Sequence, residues 1–108
     1  MNFSELNLTY DLHDSLITHI RSEVDTIITL DFCHWKQCYY TTNIPETGQV
    51  ELICHDAELK SALYGTIDYF SILHIEVEGD HAIFHILDDF HDTYHTIEIT
   101  SSFIEFVM

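Results

Sequence analysis

The stretch ILHIEVEGDHAIFHIL, from Ile72 to Leu87, specifies its own pairing and so limits the possible folds more than any other part of the chain. Gly79-Asp80 places glycine at the first central position of a two-residue loop, where φ must be positive, so the spacing predicts a type II′ hairpin turn. Pairing outward sets Glu78 opposite His81, Val77 opposite Ala82, Glu76 opposite Ile83, Ile75 opposite Phe84, His74 opposite His85 and Leu73 opposite Ile86. Because strand side chains alternate between faces, one face is Leu73, Ile75, Val77, Ala82, Phe84 and Ile86, wholly apolar. The other carries His74, Glu76, Glu78, His81, Ile83 and His85. Half of the hairpin therefore needs a core, and half can face water or a partner.

The same period of two recurs along the chain. Leu16, Thr18 and Ile20 alternate with Ile17, His19 and Arg21, and Ile28, Leu30 and Phe32 alternate with Ile27, Thr29 and Asp31, which predicts a first hairpin turning at Ser22 to Asp25. Residues 1–11 read as an arm that adds a short strand. Between Cys33 and Gly48 the alternation breaks in a segment holding Trp35, Tyr39, Tyr40 and Pro45, and it resumes with Val50, Leu52 and Cys54. The stretch at 56–64 reads two ways. Asp56 can cap a short helix presenting Leu59, Ala62 and Leu63 and stopping at Gly65, or the segment can run extended, the reading favoured by its β neighbours. Ile97 and Ile99 mark another strand. A tight turn at Ser101-Ser102 would set Glu98 against Glu105, and like charges directly opposite one another repel, so the last strand, FIEFV, should bend away. The expected fold is mainly β: an antiparallel sandwich or half-barrel of about seven or eight short strands, with a short helix near 56–64 as the alternative local path.

A chain of 108 residues with no repeat and no linker reads as one domain, 1–108, and its 46% hydrophobic content suffices for a core. Nineteen acidic residues face only Arg21, Lys36 and Lys60, for a net charge of −16. That field repels nucleic-acid phosphates and anionic lipid and attracts basic proteins. Protonating all nine histidines would move the charge only to about −7, so acidification should weaken charge-driven binding without abolishing it. Three cysteines, an odd number without a framework, favour a reducing cytoplasm. No basic segment followed by an apolar run opens the chain, and no apolar stretch approaches membrane-spanning length, so neither a signal peptide nor a membrane span is expected.

Catalytic signals are weak. His13, Asp14 and Ser15 are consecutive, and neighbours in an extended chain point to opposite faces, so they read as turn chemistry rather than a triad. No phosphate-cradling glycine loop exists, and Cys33 and Cys38 lack metal-finger spacing. His74 and His85, with Glu76 and His81 on the same face, could bind zinc or serve a small hydrolytic protein, but nine histidines make such adjacency easy to reach by composition. No metal, no cofactor and no enzymatic activity are therefore expected. Binding is favoured instead: Asp88, Asp89 and Asp92 are interleaved with Phe90, His91 and Tyr94, and Glu76 and Glu78 share the polar hairpin face. These acids would supply the field, with Trp35, Tyr39 and Tyr40 as aromatic anchors.

Leu12-His13-Asp14-Ser15, with the alternating residues 16–20, the strand from Thr26 to Phe32 and Trp35, resembles small bacterial immunity proteins of polymorphic and contact-dependent toxin systems. Mid-chain, Leu52-Ile53-Cys54-His55-Asp56 stands where a Phe-x-Gly-Val type of strand would be looked for in that group. The resemblance implies a cytoplasmic protein that binds and neutralises one cognate toxin. Combined with the charge, it leads to the expectation of a basic toxin domain, a nuclease, as partner, with a binding domain unrelated to any toxin as an alternative beside the small metal-binding or hydrolytic protein.

Overall fold

The computed structural model describes residues 1–31, 34–35 and 48–107, with residues 34, 35 and 69 described through their backbone alone. Its elements, in chain order, are α1 (Phe3–Thr9), β1 (Tyr10–Asp11), β2 (Leu16–Ser22), β3 (Thr26–Asp31), β4 (His34–Trp35), β5 (Gln49–His55), β6 (Glu58–Lys60), β7 (Gly65–Glu78), β8 (His81–Asp88), β9 (Thr93–Thr100) and β10 (Phe103–Val107). Eight strands form one antiparallel sheet in the order β10-β5-β3-β2-β7-β8-β9-β6, and β1 pairs with β4 beside it. β6 continues β5 across Asp56-Ala57, and β10 continues β9 across Ser101-Ser102, so chain corners link the two ends of the strand order. The sheet curls as a half-barrel or sandwich around one core that takes side chains from β2, β3, β5, β7, β8, β9 and β10.

The central hairpin forms in the expected register from Glu78–His81 through His74–His85. Gly79 has φ +58° and Asp80 does not join the positive-φ residues, as a type II′ turn requires. Beyond His74 the register shifts by one: Ile72, not Leu73, lies opposite Ile86. This β-bulge inverts the expected inside and outside, because Ile72 becomes fully buried while Leu73 is only partly so. The turn formed by Leu12 to Ser15 holds it. Asp14, at φ +66°, donates its N–H to the Ile72 carbonyl (2.8 Å), Ile72 N–H donates to the Ser15 carbonyl (2.9 Å), and His13 Nδ1 lies 2.6 Å from the Leu73 carbonyl oxygen. A second bulge, at Thr18, brings Ile17 and Ile20, three residues apart, to the same interior.

The amino-terminal arm is helical before its short strand. Asn2 caps α1, its side chain accepting from Glu5 N–H at 2.9 Å, and Phe3 and Leu6 are fully buried. Seven residues are too few for an independent helix, so tertiary packing sustains it. Phe3 meets Phe84 edge-on at 6.3 Å, and Tyr10 meets Phe106 at 4.3 Å. The helix considered for 56–64 does not form. Asp56 turns the chain at φ +48°, Leu59 pairs with Ile99, and the Ser61 hydroxyl bonds within its own turn to Leu63, taking up groups that a helix would use. Gly65, at φ +74°, opens β7 instead of ending a helix.

The last strand does leave β9: β10 pairs with β5, with His55 opposite Phe103 and Glu105 opposite Ile53. At this corner His55 lies between acids, with Nε2 2.8 Å from Glu105 and Nδ1 3.4 Å from Asp25. The hydrogen bond to Glu105 raises the His55 pKa, partial burial opposes this, and the Asp25 charge adds to the rise. A raised folded-state pKa contributes stability below the unfolded value of about 6.5 that is lost as pH rises through the folded value. Urea denaturation should therefore show the advantage of the native chain over His55→Gln shrinking as pH rises above the unfolded value of about 6.5. A gap that stays constant over that rise would refute the linkage.

Candidate functional site

Among the described residues, no element covers the polar face of β7, β8 and β9. Across the three strands it reads Glu78–His81–Thr100, Glu76–Ile83–Glu98 and His74–His85–Thr96. Each of its histidines lies near a glutamate: His85 Nε2 is 2.9 Å and His74 Nε2 3.7 Å from Glu76 Oε1, and His81 Nε2 is 3.8 Å from Glu98 Oε1. The His74 and His85 rings stack at 4.2 Å with 12° between their planes. The bulge at Leu73 precedes His74 directly and interrupts the ladder there, which resumes at Ile72–Ile86. A groove of 440 Å³ runs beside the pair, lined by Leu73, His74, His85, Tyr94, His95 and Thr96. Tyr94 is 74% exposed at its rim, and Phe90, in the preceding turn, is 72% exposed.

The expected binding residues divide into three groups. Glu76 and Glu78 lie on the open face, and Asp89 and Asp92 are exposed in the β8–β9 turn, where Asp92 adopts φ +53°. Asp88 is only 6% exposed and does not present its charge. Its Oδ1 accepts from the N–H groups of Phe90 (3.0 Å) and His91 (3.1 Å), and its Oδ2 lies 2.8 Å from His91 Nδ1. Burial raises the Asp88 pKa, but these hydrogen bonds outweigh it and hold the carboxyl below its ordinary value. Asp88 therefore shapes the turn that displays its acidic neighbours. Tyr39, Tyr40 and the Trp35 side chain lie outside the described residues.

Phe90 and Tyr94 are more exposed than the other exposed aromatic groups of the described surface, Tyr64 and Phe103. The interleaving of Phe90 and Tyr94 with the acids was visible in the sequence, but exposure depends on which strand face looks outward. Two potential nucleophiles, Ser15 and Cys54, are withdrawn from solvent. Ser15 is fully buried, and burial of the Cys54 thiol, with Asp25 adding, pushes its pKa up to about 12. Cys33 and Cys38 lie outside the described residues.

Three donors on the open face, His74, Glu76 and His85, lie within 4.8 Å of one another, near enough to converge on one ion after side-chain rotation. Among the described residues no helix is long and apolar enough to cross a membrane. No protein-family model, curated protein or solved structure matches the chain.

Proposed function

We propose that this protein is a non-enzymatic immunity protein that binds and neutralises a cognate toxin in the cytoplasm, the toxin being a basic nuclease domain. The observation that carries this reading is the acidic face of β7, β8 and β9, open among the described residues, with Glu76, Glu78 and Glu98, adjoining the turn with Asp89 and Asp92 and the exposed rings of Phe90 and Tyr94. No lysine or arginine follows Lys60, which lies opposite Glu98 on the edge strand β6, so a permanent cation stands at the margin of this surface while Glu76, Glu78, Asp89 and Asp92 lie on segments without one. A nuclease presents cations to phosphate, and an acidic face flanked by exposed aromatic rings has the charge and the anchors to occupy such a surface. The resemblance carried by Leu12 to Ser15 adds the toxin–immunity context. In this reading the substrate-mimicking charges steer encounter, and the aromatic groups slow release.

The test uses the product of the neighbouring reading frame as ligand. The association rate should fall by at least about tenfold between low and high salt, and reversing Glu76, Glu78, Asp89 and Asp92 to lysine should lower it by a similar factor. A salt-independent rate refutes charge complementarity. Failure to bind that product, or to protect cells that express it, overturns the immunity reading.

A further inference from the structure

We propose that His74, Glu76 and His85 form a binding site for one divalent first-row transition metal ion, with zinc as the reference ion. Three features of the chain converge on it. The hairpin register sets His74 directly opposite His85 and places Glu76 two residues further along the same face, so three donors come from adjacent positions on a rigid two-stranded element. The donor atoms already lie within 4.8 Å of one another, and tetrahedral zinc with bonds of about 2.0–2.1 Å needs them roughly 3.3 Å apart. Side-chain rotation closes the difference, since His74 and Glu76 are 60% and 58% exposed and only His85, at 29%, is held by its surroundings. Finally, Glu78 and Glu98 on the same face add negative potential that favours a dication.

The donor chemistry selects the class of ion. Two imidazole nitrogens and one carboxylate suit zinc, nickel or copper, whereas calcium and magnesium require oxygen-rich shells. Binding requires His85 Nε2 to give up its 2.9 Å contact with Glu76 and present a lone pair, leaving the ring proton on Nδ1. Glu76 then binds the ion instead of the imidazole. Three protein donors leave the fourth tetrahedral position to water or to an external ligand approaching from the open side. The site does not depend on the toxin reading, and each can fail without the other.

Zinc chloride alone, titrated calorimetrically into chain purified without a histidine tag, tests the proposal. One equivalent should bind, and an excess of magnesium should not displace it. His74→Ala and His85→Ala should each weaken binding by at least about tenfold, and Glu76→Gln should weaken it as well, while His81→Ala, a histidine on the same face outside the triad, should leave it within about twofold. Imidazole nitrogen NMR shifts should change at His74 and His85 on zinc addition, with unchanged amide spectra showing that each variant is folded. No binding, several weak equivalents that survive the His74→Ala substitution, or equal loss in His81→Ala would overturn the site.

Discussion

Replacing Phe84 with alanine is expected to destabilise the protein by about 3–5 kcal/mol, a large share of the roughly 5–15 kcal/mol available to a domain of this size. Phe84 is fully buried in β8, between its sheet partners Ile75 and Ile97, and meets Phe3 of α1 edge-on. Truncation removes apolar contact from the sheet and also takes away the surface against which the short helix rests. The melting temperature should fall by roughly 12 °C or more. Because Phe3 and Phe84 share one contact, Phe3→Ala and Phe84→Ala should be non-additive by about 0.5–1.5 kcal/mol in a double-mutant cycle. Full additivity would mean that the helix does not dock where it is described.

The second large effect separates two adjacent residues. Ile72→Lys is expected to unfold the chain, since it places an ammonium at a fully buried position and loses a core side chain, a combined loss of about 4 kcal/mol or more. Leu73→Lys should remain folded, costing about 1–2 kcal/mol, because the bulge turns that position toward the grooves and a lysine stem can lie along apolar surface with its head in water. Thermal melts of the two variants decide the matter. Strict alternation without a bulge predicts the reverse order.

That reversal shows where the sequence was legible. Period-two alternation with Gly79-Asp80 fixes the hairpin register out to His74 and His85, and it separates Ile28, Leu30, Val50, Leu52 and Cys54 as core from their polar neighbours. Like-charge repulsion between Glu98 and Glu105 correctly sends β10 away from β9. The helix at Phe3–Thr9 also left a local trace, in Asn2 three residues before Glu5 and in the helical spacing of Phe3, Leu6 and Tyr10, but its polar residues resemble an irregular arm. The two bulges left no such trace. A bulge is one residue of backbone without a composition of its own, and its position is set by the partner strand and by the turn that clamps it.

The candidate site follows the same division. The cross-strand placement of His74, Glu76 and His85 is a consequence of register and could be read from the sequence. Which acids reach solvent could not: Asp88, Asp89 and Asp92 look alike in a run, yet Asp88 is consumed in holding its turn while its neighbours project. Local pattern thus determined a β-rich chain and the pairing of its central hairpin, because side-chain alternation and turn chemistry act between near neighbours. The tertiary structure alone decided the curl of the sheet, the docking of the helix and the inversion of Ile72 and Leu73, because these depend on contacts between segments far apart in the chain, such as the turn at Leu12 to Ser15 bonded to β7.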